Sequence, residues 1–251
     1  MDRISAELVP RSKDSLSSEL AAVGDRFARL DTVNLPDLER FPLRSWDACA
    51  LARPRFARAI PHLRALDVDL AELGLWTHRL EARALDTVIV VRGDPPQRPG
   101  RLVHPTTSVE LITALRAAVP ELRIYAALDP YRRPLRVELE DAHAKLEAGA
   151  DGFFTQPYFD LRLMEIWADA VGEGTDVYWG VSPVTRAASR RYWETKNGVV
   201  FPRGFDLGLA ANQAFGREAL AFARARGHGV YFMPIREDPV VYLEGVLDDA
   251  D

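Results

Sequence analysis

Short apolar runs rich in β-branched and aromatic residues recur along this chain, separated by stretches with helical spacing. The runs read ISAELV at 4–9, DTVNL at 31–35, AIPHLRAL at 59–66, DTVIVVRG at 86–93, RIYAALD at 123–129, DGFFTQPYF at 151–159, VYWGVSPV at 177–184 and GVYFMPI at 229–235. Each has the length and composition of a buried strand. Most begin roughly 25–37 residues apart, which leaves room for one strand, one crossover helix and two loops. Between them, 14–30 places Leu16, Leu20, Val23 and Phe27 on one face behind an Asp14 or Ser15 cap. The stretch 106–119 opens on the capping candidates Thr106 and Thr107. Residues 134–151 begin with proline and reach Gly149, and 212–227 stops at Gly227.

Strands alternating with helices, eight of each or nearly so, predict parallel pairing through right-handed crossovers, and closing the eight strands gives an α/β fold, a single (β/α)8 TIM barrel. The rival is an open doubly wound sheet, which would place a glycine-rich phosphate loop after an early strand. The Gly172-Glu173-Gly174 and Gly227-His228-Gly229 triplets lack a third glycine and precede strands instead of following them. One barrel domain is therefore expected over 1–251, with an irregular, Gly-rich stretch at 196–211 and a solvated tail at 248–251.

Composition narrows the partners. With 32 basic and 37 acidic residues the net charge is -5, which gives no electrostatic reason to expect nucleic acid or an anionic membrane. Cys49 stands alone, so an internal disulfide is impossible and a reducing compartment fits. Asp2, Arg3 and Glu7 interrupt the apolar core a signal peptide needs. No apolar run approaches the roughly 18 residues of a membrane span. The expectation is a cytoplasmic protein with a small-molecule partner, acting as a monomer or small homo-oligomer. His62, His78, His104, His143 and His228 form no ligand pair at helical spacing, so no metal site is expected. A serine nucleophile elbow is also absent.

Barrels of this kind carry their chemistry where the strands' C-terminal ends meet. In order, those ends offer Glu7, Asn34, His62, Arg92 with Asp94, Asp129, Thr155 with Gln156, and Ser182, while strand eight ends near Met233 and Arg236. Glu7 lies in an apolar strand, where a carboxylate is costly unless paired or protonated. A bond to a rim arginine such as Arg92 would make it structural, whereas a retained proton would make it an acid. His62 reads equally as a core histidine bonded to backbone. Arg92-Gly93-Asp94-Pro95-Pro96 reads equally as a plain turn. Gln156 either completes a polar network or reads a ligand's donor–acceptor edge.

Taken together, these segments resemble the methylenetetrahydrofolate reductase family. The matching pieces are SAELVP at 5–10, PHL at 61–63, RGDPP at 92–96, EAGADGFFTQPYFD at 147–160 and GVSPVT at 180–185, and the segment 212–247 resembles the family's closing helix, strand and helix. Single motifs are weak; their order, strand placement and spacing are specific. The resemblance implies reduction of a folate-bound methylene to methyl. It makes Glu7 the general acid that opens the imidazolidine ring and Asp94 the charge that stabilises the resulting cation. Gln156 becomes the pterin-binding amide, with Thr155, Tyr158 and Phe159 beside the substrate. His62, Asn34, Arg92, Asp129 and Ser182 become contacts to the hydride donor.

The departures from the family pattern concern FAD, which relays hydride in familiar members. The flavin-contacting threonine is Asn34 here, and a tyrosine is replaced by Leu128. An aspartate, an asparagine and an arginine align with Glu138, Asp141 and Ala144, and only Lys145 agrees. A stacking aromatic appears as Ala187. A flavin diphosphate wants positive charge or helix N-termini around it, and these changes remove an arginine and add an acid. The sequence therefore resembles the flavin-independent actinobacterial members, in which NADH or NADPH passes hydride directly and FAD is absent. Two alternatives remain: an FAD-dependent reductase and a folate-binding barrel without reductase activity.

Overall fold

The computed structural model describes residues 3–95 and 102–248. Eight parallel strands close in chain order, with β1 hydrogen-bonded to both β2 and β8. The first half runs β1 (Arg3–Glu7), α1 (Lys13–Arg26), β2 (Thr32–Leu35), α2 (Ser45–Ala52), β3 (Arg58–Arg64), α3 (Leu73–Glu81), β4 (Thr87–Val91) and α4 (Ser108–Ala118). The second half runs β5 (Arg123–Leu128), α5 (Leu135–Glu147), β6 (Gly152–Tyr158), α6 (Leu161–Val171), β7 (Asp176–Val181), α7 (Ala187–Asn197), α8 (Leu209–Ala225), β8 (Gly229–Phe232) and α9 (Pro239–Leu247). The expected (β/α)8 barrel is thus the fold.

The period-2 alternation of strands divides the apolar residues into two cores. Ile4, Ala6, Val33, Val88, Val90, Phe153, Trp179 and Phe232 belong to the larger one, shared with the helices. Ile60, Ile89, Tyr125, Phe154, Tyr178, Tyr231 and Met233 fill the barrel's interior. The lower end is bolted by polar groups. Arg3 bonds Asp176 at 2.7 Å and lies 4.6 Å over the Tyr178 ring, while the Tyr125 hydroxyl donates to the same carboxylate at 2.8 Å.

Capping follows the sequence in part. Thr107 and Glu110 form a reciprocal capping box on α4. Helix α1 is capped by Ser12, whose hydroxyl accepts from the Ser15 amide at 3.2 Å, and not by Asp14 or Ser15. The stretch 196–211 is irregular over 198–208, as expected, with α7 reaching into its start at Asn197 and α8 taking up its end from Leu209. Of the expected tail, Asp248 caps α9 and pairs with Arg26, and 249–251 lie outside the described residues. One irregularity bears on the site. The pairing of β6 with β7 shifts register between Phe154 and Pro157, a bulge at Thr155 and Gln156.

Candidate active site

The upper end of the barrel opens into a cavity of about 1090 Å³ lined by Glu7, His62, Asp94, Gln156, Tyr231 and Lys145, among others. That is at the top of the range of small-molecule sites. Glu7 ends β1 and is half-buried. Burial raises its carboxyl from an ordinary 4.5 to about 7, against the opposing pull of a hydrogen bond from Tyr231. That bond runs from the Tyr231 hydroxyl to Oε2 of Glu7. The rim-arginine pairing considered for Glu7 is therefore replaced by a phenol from β8, and Arg92 is exposed.

Behind Glu7 a polar chain crosses three strands. Asn34 is fully buried, and its amide nitrogen donates to Ser5 Oγ at 2.9 Å. Its carbonyl oxygen meets His62 Nε2 at 3.0 Å. With that oxygen accepting, Nε2 carries the imidazole hydrogen and Nδ1 is left as an acceptor. Desolvation lowers the His62 pKa to about 3, so the ring is neutral. Ser45 Oγ donates to the His62 carbonyl at 2.8 Å and ties the strand end to α2.

Asp94 stands exposed on the turn after β4. Buried Arg64 holds that turn from beneath, donating to the Asp94 carbonyl at 2.7 Å. Gly93 is required there: its φ is +87°, and a Cβ would come within 2.8 Å of Arg64 Nε. Pro96 of the RGDPP motif lies outside the described residues. Asp129 lines the cavity and accepts from the Tyr131 amide at 3.0 Å; burial raises its pKa.

The bulge in β6 decides the fate of four expected contacts. Thr155 is buried; its hydroxyl accepts from the Gly180 amide at 2.8 Å and donates to the Gln156 carbonyl at 2.9 Å. Gln156 keeps the inward face of Phe154 and stands in the mouth with its side chain exposed. Past the bulge the alternation is inverted, so Tyr158 packs outward, 5.4 Å from Trp179. Phe159 joins Trp193 and Phe201 in a side cluster. The structure therefore does not bring Tyr158 or Phe159 to the cavity, and the Thr155 hydroxyl is spent within the bulge. Asn34 and Ser182 also sit behind the wall; the Ser182 hydroxyl is buried without a hydrogen-bond partner among the described residues.

Missed by the sequence reading is Tyr231, whose only sequence signal was its inward register in β8. The charged residues on and just before α5 pair with one another. Arg133 bonds Glu138 and lies 3.4 Å from Asp141, and Lys145 reaches Asp141 at 2.6 Å and the Ala127 carbonyl at 2.8 Å. No group of three or more His, Cys, Asp or Glu among the described residues could hold a metal ion. No helix among them is long and apolar enough to cross a membrane.

Fold and site together define a (β/α)8 barrel whose open end carries a carboxyl of raised pKa inside a ligand-sized cavity. The family model for methylenetetrahydrofolate reductase matches residues 45–210, and the chain belongs to that family. The chain is also 23% identical over 148 residues to the 5,10-methylenetetrahydrofolate reductase of Pectobacterium carotovorum subsp. carotovorum, across 57% of this chain and 50% of that protein. It thus spans about half the length of the curated relative it matches. A solved structure of an uncharacterized protein from Clostridium thermocellum, which binds two copies of 5-methyl-5,6,7,8-tetrahydrofolic acid, shares the fold. It superposes with a TM-score of 0.72 at 12% identity, over 99% of this chain and 94% of that one.

Proposed function

We propose that this protein reduces 5,10-methylenetetrahydrofolate to 5-methyltetrahydrofolate with hydride taken directly from NADH or NADPH, without flavin. The observation that carries the reading is the Glu7 carboxyl, held near neutrality at the edge of a cavity large enough for two flat heterocycles. The substrate's imidazolidine ring must open before hydride can add. A proton from Glu7 goes to N10, the N10–methylene bond breaks, and an N5 iminium cation remains. Hydride from the nicotinamide C4 then adds to the methylene carbon and leaves a methyl group and an oxidised nicotinamide. An acid whose pKa lies near the working pH suits the first step. The exposed Asp94 carboxylate lines the same cavity and stabilises the cation. Gln156 reads the pterin edge, and neutral His62 offers Nδ1 to a donor on either ring.

The charges around α5 favour a reading without resident flavin. Arg133 and Lys145 are already neutralised by Glu138 and Asp141, and Asp129 adds a further acid. That leaves Arg132, in the loop before α5, as the one cavity-lining cation there without an ion pair among the described residues, where a flavin diphosphate wants more. Lys196 and Arg236, elsewhere on the cavity rim, have no ion pair among the described residues and suit a dinucleotide that comes and goes.

The test is a nicotinamide-oxidation assay on protein shown by extraction to carry no flavin. Methylenetetrahydrofolate should drive oxidation of NADH or NADPH, with sequential kinetics. Glu7→Gln should keep folate binding and lower kcat by roughly 10²–10⁴-fold. Activity that appears only after FAD is added, or a Glu7→Gln variant with near-normal turnover, would refute the proposal.

A further inference from the structure

The inward face of β8 supplies a group the reaction scheme has not used. We propose that Tyr231 is a positioning residue: its hydroxyl occupies Oε2 of Glu7, so the transferable proton sits on Oε1 and faces the ligand. The inference rests on the reading of Glu7 as proton donor.

A carboxylic acid has one oxygen that carries the proton and one that accepts. The Tyr231 hydroxyl donates to Oε2, which makes that oxygen the acceptor. The ring cannot easily swing away. Tyr231 is 5% exposed, and Phe154 packs against it at 5.3 Å in an edge-to-face contact. In the strand register Tyr231 lies between Ser5 of β1 and Gly180 of β7.

Tyr231 holds the acid without relaying its proton. Burial and the neighbouring carboxyl push the phenol well above its usual range, so it stays protonated wherever the enzyme works. The other polar groups at or behind the mouth do not replace it. Asn34 on β2 is uncharged, and His62 on β3 commits Nε2 to Asn34. Asp37 pairs with Arg44, Arg11 pairs with Glu19, and Arg64 is held by the Asp94 carbonyl.

Two changes at position 231 separate the possibilities, read through kcat and through kcat/KM against pH. Tyr231→Phe removes one hydrogen bond to the ionised carboxylate, a loss that corresponds to about one pH unit. The alkaline limb should therefore move up by about that amount. The plateau kcat should fall about tenfold or more with folate KM little changed, because the carboxyl is no longer held. Site-specific 3-fluorotyrosine keeps the ring and donates more strongly, so it should retain the plateau and move the limb down. It carries the test alone if the phenylalanine variant does not fold. An unmoved limb and plateau in Tyr231→Phe, or an unmoved or upward-moving limb in the fluorotyrosine protein, overturns the positioning role. Near-normal turnover of Glu7→Gln would sink the proton-donor reading itself. An inactive Glu7→Gln alongside unmoved Tyr231 variants would sink the positioning role alone.

Discussion

At the scale of single residues, the chemistry that suits Glu7 for acid catalysis also makes it a burden on the fold. Its folded pKa is about 7 against an ordinary 4.5, so the folded state holds the proton more tightly than the unfolded chain. Any stabilisation from that proton is complete below about pH 4.5 and is lost as pH rises through 7. The loss is on the order of 3 kcal/mol. Glu7→Gln should remove this dependence, so urea denaturation near pH 5 and near pH 8 should show a smaller drop in the variant than in the native protein. Equal drops would mean the carboxyl is not desolvated. Much of this site could be read from the chain, because Glu7, His62, Asp94 and Gln156 are polar residues at the ends of apolar strands. Tyr231 could not. A tyrosine in a barrel strand reads as core, and only three-dimensional register sets its hydroxyl against a residue 224 positions away.

At the scale of elements, the bulge in β6 aims the mouth. Thr155 stitches it closed by linking the Gly180 amide to the Gln156 carbonyl, and Gly180 must stay bare because a Cβ would come within 2.5 Å of the Thr155 carbonyl oxygen. Thr155→Val leaves a buried amide unpaired and should cost about 1–3 kcal/mol of stability. It should also raise the KM for folate more than it lowers kcat, since Gln156 loses its support while Glu7 does not. Chemical denaturation and steady-state kinetics check both; an unchanged KM in a destabilised variant would separate the bulge from binding. No pattern in PhePheThrGlnProTyrPhe announces the bulge, and plain alternation would put Tyr158 inside with Phe154 and Gln156. Helix α7 was hidden for a different reason. It buries only Trp193 and has no side-chain N-cap bond, so neither periodicity nor capping marks it.

At the scale of the whole molecule, the strand order, the plugged lower end and the open upper end leave a large cavity with room for both proposed reactants. The alternation of runs and helical stretches made this architecture legible, since eight strand-sized segments at crossover spacing admit few closures. The family match spans His62, Asp94, Asp129 and Gln156 but neither Glu7 nor Tyr231, so the acid's case rests on the geometry where β1 meets β8. Direct transfer requires donor and acceptor carbons to be held about 3–3.5 Å apart in one ternary complex. The most direct measurement is a single turnover of flavin-free protein with nicotinamide deuterated at C4 and methylenetetrahydrofolate. The expected product carries the deuterium in its new methyl group, undiluted by solvent hydrogen. Loss of that label to water, or folate binding with no nicotinamide oxidised, would contradict direct transfer.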